Sequence, residues 1–160
     1  MPTAIHYHFR QNFNVPARKA YYWCLDYQSG TDDHALMGES DADRKVSRLS
    51  DSTIILTDTF TVGGARIEKQ KLVQMYPGML FWTSTHLTGP ARHSQFLYQI
   101  TADGEDASHL DFTGLFLDYT HERMSKADAR KLSDKLCKED ADGWKLLAKA
   151  VEKDLGVSAQ

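Results

Sequence analysis

Four polar side chains stand among apolar neighbours in this 160-residue chain: Asp58, His86, Tyr98 and Asp140. Asp58 shares strand parity with Ile54, Leu56 and Phe60. His86 shares a face with Trp82 and Ser84, and Tyr98 with Phe96 and Ile100. Asp140 projects between Leu136, Trp144 and Leu147 on a helical repeat. A histidine with a carboxylate is common equipment for moving a proton. His86 paired with Asp58 or Asp140 would suit enolisation of a carbonyl or a dehydration. The same residues have ordinary structural readings: a histidine satisfied in the core or at the surface, and a carboxylate that reaches a backbone donor or water. His86, Asp58 and Asp140 are the candidate catalytic residues, and no spacing fixes a role for any of them.

If the strand faces that carry these residues turn inwards, they line a pocket. Its candidate ligand-binding residues are Tyr27, Asp58, Phe60, Trp82, His86, Tyr98, Phe112, Phe116, Asp140 and Trp144. Aromatic walls with a few polar heads are the usual make-up of a small-molecule site. The reading depends on register, because a one-residue slip turns a whole face outwards.

The elements that must position these residues are legible from periodicity. Ile5, Tyr7 and Phe9 alternate with His6, His8 and Arg10, which marks a half-buried strand. Pro16 can open a helix, and Ala17 to Tyr27 place Ala20, Trp23, Cys24 and Tyr27 on one side. Ser29-Gly30-Thr31 breaks it, and Asp32 to Leu36 reads as a second short helix capped by Asp32. Strands follow over Arg44 to Leu49, Thr53 to Thr61, Arg66 to Met75, Met79 to Leu87, Ser94 to Thr101 and Leu110 to Tyr119. Gly63-Gly64, Pro77-Gly78, Gly89-Pro90 and Asp103-Gly104 supply turns between them. Such short turns make antiparallel neighbours. The many charges of the Arg66 to Met75 strand suggest that at least one of its faces meets solvent.

From Ser125 to Leu155 runs one long helical pattern, with Leu132, Leu136, Gly143, Trp144, Leu147 and Val151 as its stripe. Ser125 with Asp128 approximates a capping box. Thirty residues of helix span ~45 Å, so this one must cross several strands. An interior glycine costs up to ~1 kcal/mol against alanine. Gly143 therefore makes room, either for a neighbouring side chain or for a ligand. Strands followed by a helix mean an α+β domain over residues 1–155, with a loose tail over 156–160.

Bulk properties exclude several classes. The net charge is −3, so nucleic acid is a poor partner. Met79-Leu80-Phe81-Trp82 is far too short to span a bilayer, and the first residues lack the regions of a signal peptide. A cytoplasmic protein is expected. Cys24 and Cys137 lack metal spacing and read as reduced, buried thiols. The histidines form no known zinc pattern, so no metal or cofactor is expected.

The element order resembles the START-like, helix-grip superfamily, also called SRPBCC, which includes birch-pollen-allergen-like proteins, START lipid-binding domains and polyketide cyclases. Three local features add to the likeness. Phe13-Asn14-Val15-Pro16-Ala17 leads into a helix bearing Tyr21-Tyr22-Trp23 and Asp26-Tyr27. Gly114 interrupts the last strand, and Gly143-Trp144 sits on the final helix. The resemblance covers nearly the whole chain. It implies a curved antiparallel sheet wrapped around the long C-terminal helix, with two short helices, about Ala17 to Leu36, plugging one end. It further implies a hydrophobic ligand, lipid-like, quinone-like or aromatic, between sheet and helix. An intracellular carrier or sensor is the leading expectation. A cyclase, dehydratase or aromatase using a pocket histidine or carboxylate is the second, and a protein-interaction module is the third. A homodimer is left open.

Overall fold

The computed structural model describes residues 1–27 and 43–155. β1 spans Thr3–Phe13 and leads into the short helix α1, Ala17–Cys24. After residues 28–42 come β2 (Asp43–Ser50), β3 (Thr53–Val62), β4 (Ala65–Tyr76), β5 (Phe81–His86), β6 (Gln95–Ala102) and β7 (Ser108–Asp118). The chain then forms the long helix α2, Lys126–Leu155. The second short helix expected over Asp32 to Leu36, and the tail expected over 156–160, lie outside the described residues.

The strands form one antiparallel sheet in the order β1-β7-β6-β5-β4-β3-β2. From β2 to β7 it is a meander of sequential neighbours. β1 closes the far side by pairing with β7, from Thr3↔Asp118 to Phe13↔Ser108. The alternation in the sequence sets the inner face: on β3, Ile54, Leu56, Asp58 and Phe60 are all buried. Gly63 and Gly64, at φ 57° and 82°, make the two-residue turn that pairs Val62 with Ala65. Positive φ at both turn positions matches the twist of the flanking strands, which is why glycine stands there.

Two elements are shorter than expected. α1 stops at Cys24, and the N–H of Asp26 then bonds back to the Trp23 carbonyl. This releases Asp26 and Tyr27 from the helix. Pro77–Met79 form a tight 3-10 turn, and Leu80 reverses the chain at φ 51°, so β5 begins only at Phe81.

α2 starts as its sequence predicts. The N–H of Asp128 donates to Ser125 Oγ at 3.0 Å, and the Ser125 hydroxyl donates to the Asp128 carboxylate at 2.8 Å. The helix runs beside β1, where Ser133 donates to the His6 carbonyl at 2.8 Å and the Cys137 thiol to the His8 carbonyl at 3.5 Å. These bonds occupy edge acceptors that would otherwise invite another strand. At its end, Asp154 accepts the indole N–H of Trp23 at 2.8 Å, tying α1 to α2. Gly143 and Val151 of the expected stripe are buried, together with Ala148, while Leu132, Leu136, Trp144 and Leu147 are half-buried. Cys24 and Cys137 are free thiols, both half-buried.

Candidate functional site

Strand register arranges the inward side chains in rows across the sheet. One row is aromatic: Phe9, Phe112, Tyr98 and Trp82 follow one another on β1, β7, β6 and β5. The next row carries Tyr7, Gly114, Phe96 and Ser84. A third pairs Leu56 with Lys71 and Lys71 with His86. The last is charged throughout, with Arg44 opposite Asp58 and Asp58 opposite Lys69. The inner face therefore grades from aromatic to ionic along the strands. α2 faces it with Asp140, Gly143, Trp144 and Leu147, and between them lies a cavity of about 400 Å³. That volume is within the range of small-molecule sites.

The aromatic end is tightly ordered. Trp82 and Tyr98 stack with centroids 4.6 Å apart and planes 1° apart. Trp144 leans over both, 6.5 Å from Trp82 and 5.9 Å from Tyr98. Phe112 meets Tyr98 edge-on at 5.2 Å. Trp82 itself is 2 % exposed. The indoles thus build walls without filling the interior.

The ionic end centres on Asp58, which is 1 % exposed. Arg44 grips it with two bonds, Nε to Oδ1 at 2.7 Å and Nη2 to Oδ2 at 3.0 Å. Lys71 Nζ lies 3.8 Å from Oδ2. Rings carry two of the cations: the Arg44 guanidinium sits 5.3 Å from the Tyr27 centroid and the Lys69 ammonium 5.0 Å from that of Phe60. Burial, with the charges of Lys71 and Lys69, drives His86 down to about 4, against the opposing pull of Asp58. His86 is therefore neutral at physiological pH.

Asp140 stands on the helix wall. Tyr7 donates to its Oδ2 at 2.5 Å. Burial pushes the Asp140 carboxyl above the ordinary carboxylate range, and the Tyr7 bond pulls part of the way back. Burial and the neighbouring Asp140 charge push the Tyr7 phenol up in turn. Asp58 has both carboxylate oxygens held by Arg44. The carboxyl best placed for proton exchange in the cavity is that of Asp140, with Tyr7 behind it.

The structure sets nine of the ten expected residues around this cavity: Tyr27, Asp58, Phe60, Trp82, His86, Tyr98, Phe112, Asp140 and Trp144. Phe116 is the exception. It keeps the parity of Phe112 but lies beyond Gly114, paired with Ile5 and packed on the core. The Tyr7 ring covers Gly114 between them so closely that an added Cβ would come within 2.6 Å of it. Sequence reading missed Arg44, Lys69, Lys71 and Tyr7. The lysines share parity with the buried Val73, and that was the available signal. Their charge made the strand look solvated instead. Among the described residues, no group of three or more histidine, cysteine or carboxylate side chains is arranged to hold a metal ion. No described helix is long and apolar enough to cross a membrane.

No family model matches the chain. No curated protein sequence matches it either. Solved structures do. The Zhui aromatase/cyclase from a Streptomyces species superposes with a TM-score of 0.71 at 10% identity, covering 96% of each chain. Norcoclaurine synthase from Thalictrum flavum, solved with dopamine and hydroxybenzaldehyde, gives 0.67 at 11% identity, covering 96% of this chain and 87% of that one. Ara h 8.0201 gives 0.62 at 11% identity, covering 94% and 99%. The fold is the helix-grip α+β fold that these structures share.

Proposed function

We propose that this chain binds a small hydrophobic molecule, aromatic in preference to lipid-like, in the cavity between sheet and α2, and acts as an intracellular carrier or sensor. One observation carries the reading: the Trp82–Tyr98 stack, with Trp144 above it, lines about 400 Å³ of space instead of closing it. Flat aromatic walls favour flat aromatic ligands by offset stacking and edge contacts. Native mass spectrometry of the purified protein tests it, followed by a thermal-shift screen across lipids, quinones and polyketide-like aromatics. A co-purified small molecule, or a shift confined to aromatic members, supports the proposal. No adduct and no shift from any member would count against it.

A second reading, an aromatase, cyclase or dehydratase, is favoured by the Tyr7–Asp140 pair. A carboxyl of raised pKa facing an apolar ligand is equipped for general acid–base work. Asp140→Asn separates the two. An enzyme would lose turnover of a bound aromatic while still binding it, whereas a carrier would show no turnover to lose.

A further inference from the structure

We infer that the ligand carries a neutral hydroxyl on its aromatic body, and that Ser84 and His86 of β5 receive it. The inference rests on the binding function proposed above and names the polar chemistry of its ligand.

Hydrogen bonding carries the argument. Several polar heads around the cavity are engaged within the protein: Asp58 by Arg44 and Lys71, Asp140 by Tyr7, and the Trp23 indole by Asp154. Ser84 and His86 differ. Ser84 is 6 % exposed, and neither its hydroxyl nor the ring nitrogens of His86 meet a hydrogen-bond partner among the described residues. The neighbours show why. Ser84 lies between Val73 and Phe96 across the sheet, and the His86 ring rests against Phe96 with centroids 5.1 Å apart. Among the described residues no fully enclosed polar side-chain atom is left unpaired, so both groups open onto the cavity they line. They stand two residues apart on one strand, so they point the same way from backbone positions ~7 Å apart.

A ligand that fills the cavity expels water from these groups and must replace its hydrogen bonds. The two side chains define the replacement. Burial, with the charges of Lys71 and Lys69, keeps His86 neutral. Its imidazole therefore offers one N–H donor and one bare nitrogen acceptor, and the serine hydroxyl likewise gives and accepts. A carbonyl or ether oxygen satisfies the donors and leaves the bare nitrogen unpaired. A hydroxyl serves both. Trp82 precedes Ser84 by one more such step, so a ring resting against Tyr98 and Trp144 turns an edge hydroxyl towards the pair.

The test compares 2-naphthol with 2-fluoronaphthalene by isothermal titration calorimetry, the full chain being titrated into each probe. An apolar cavity alone favours the fluoro compound, which leaves water more readily. Paired Ser84 and His86 reverse that order, and naphthol is expected to bind at least about tenfold more tightly. Ser84→Ala and His86→Leu should each reduce the preference, and His86→Gln, which still donates and accepts, should retain more of it than His86→Leu. Ring-nitrogen NMR shifts of His86 in the unaltered chain check the assignment without any variant: naphthol should move the acceptor nitrogen and fluoronaphthalene leave it in place. Equal binding, or a preference for fluoronaphthalene, would overturn the hydroxyl inference and leave the cavity function standing. Failure of both probes to bind up to their solubility limits would overturn both.

Discussion

The Tyr7 hydroxyl on β1 donates to Asp140 Oδ2 on α2 at 2.5 Å, joining residues 133 apart in the chain. This is the polar latch between sheet and helix at the cavity, and its titration has a definite sign. Burial raises the Asp140 carboxyl, so the folded chain holds that proton more tightly than the unfolded one. The stabilisation from this group is complete below the unfolded value of about 3.9 and is lost as pH rises through the raised folded value. Asp140→Asn removes the ionisation and keeps an acceptor for Tyr7. Its stability relative to the unaltered chain is expected to improve as pH rises from about 4 to 8, measured by urea unfolding. Tyr7→Phe leaves the carboxyl without its donor and should cost about 1–3 kcal/mol. A difference between Asp140→Asn and the unaltered chain that stays constant with pH would count against this account of the latch.

Gly114 is the seat for the Tyr7 ring. A Cβ there would meet Tyr7 Cζ at 2.6 Å and Cε1 at 2.7 Å, too close for any side chain. Gly114→Ala should therefore displace the ring, disturb the bond to Asp140 and cost about 1–3 kcal/mol. The cost should shrink when Tyr7→Ala is already present, since the obstructing ring is gone. A double-mutant cycle reads this directly, and strict additivity would show that the two residues do not interfere.

His86 titrates in the opposite sense to Asp140. Its folded value of about 4 lies below its ordinary 6.5, so the unfolded chain takes up the proton first as pH falls. The stability gained by keeping the imidazole neutral is present above about 6.5 and lost between about 6.5 and 4. The gap corresponds to about 3 kcal/mol. His86→Gln should flatten that part of the stability profile. An imidazole seen by NMR to titrate near 6.5 in the folded protein would contradict the burial and lysine field described above.

The fold was legible because its patterns are strong. The alternation of Ile5, Tyr7 and Phe9 matches the burial of β1, and the cap at Ser125 marks the start of α2 within a residue. Asp58, Trp82, His86 and Tyr98 came to one cavity because parity along each strand carries that information without any tertiary knowledge. The ionic wall was hidden for a physical reason. A lysine on a strand ordinarily marks solvent, and only the register with β3 and β5 shows that Lys69 and Lys71 face inwards beside Asp58 and His86. The Tyr7–Asp140 bond was hidden because nothing local to either residue reveals how far along β1 the helix is placed. Phe116 failed for the converse reason: parity fixes the face of a strand but not where along it the cavity ends.

The central claim is that an aromatic ligand sits between sheet and α2. Intermolecular NOEs from 2-naphthol in a ¹³C,¹⁵N-labelled sample test it most directly. The account predicts contacts to the rings of Tyr98 and Trp144 and to the backbone of Gly143, with none to the outer-face residues His8 and Arg10. Contacts confined to that outer face, with Tyr98, Gly143 and Trp144 silent at saturation, would contradict it.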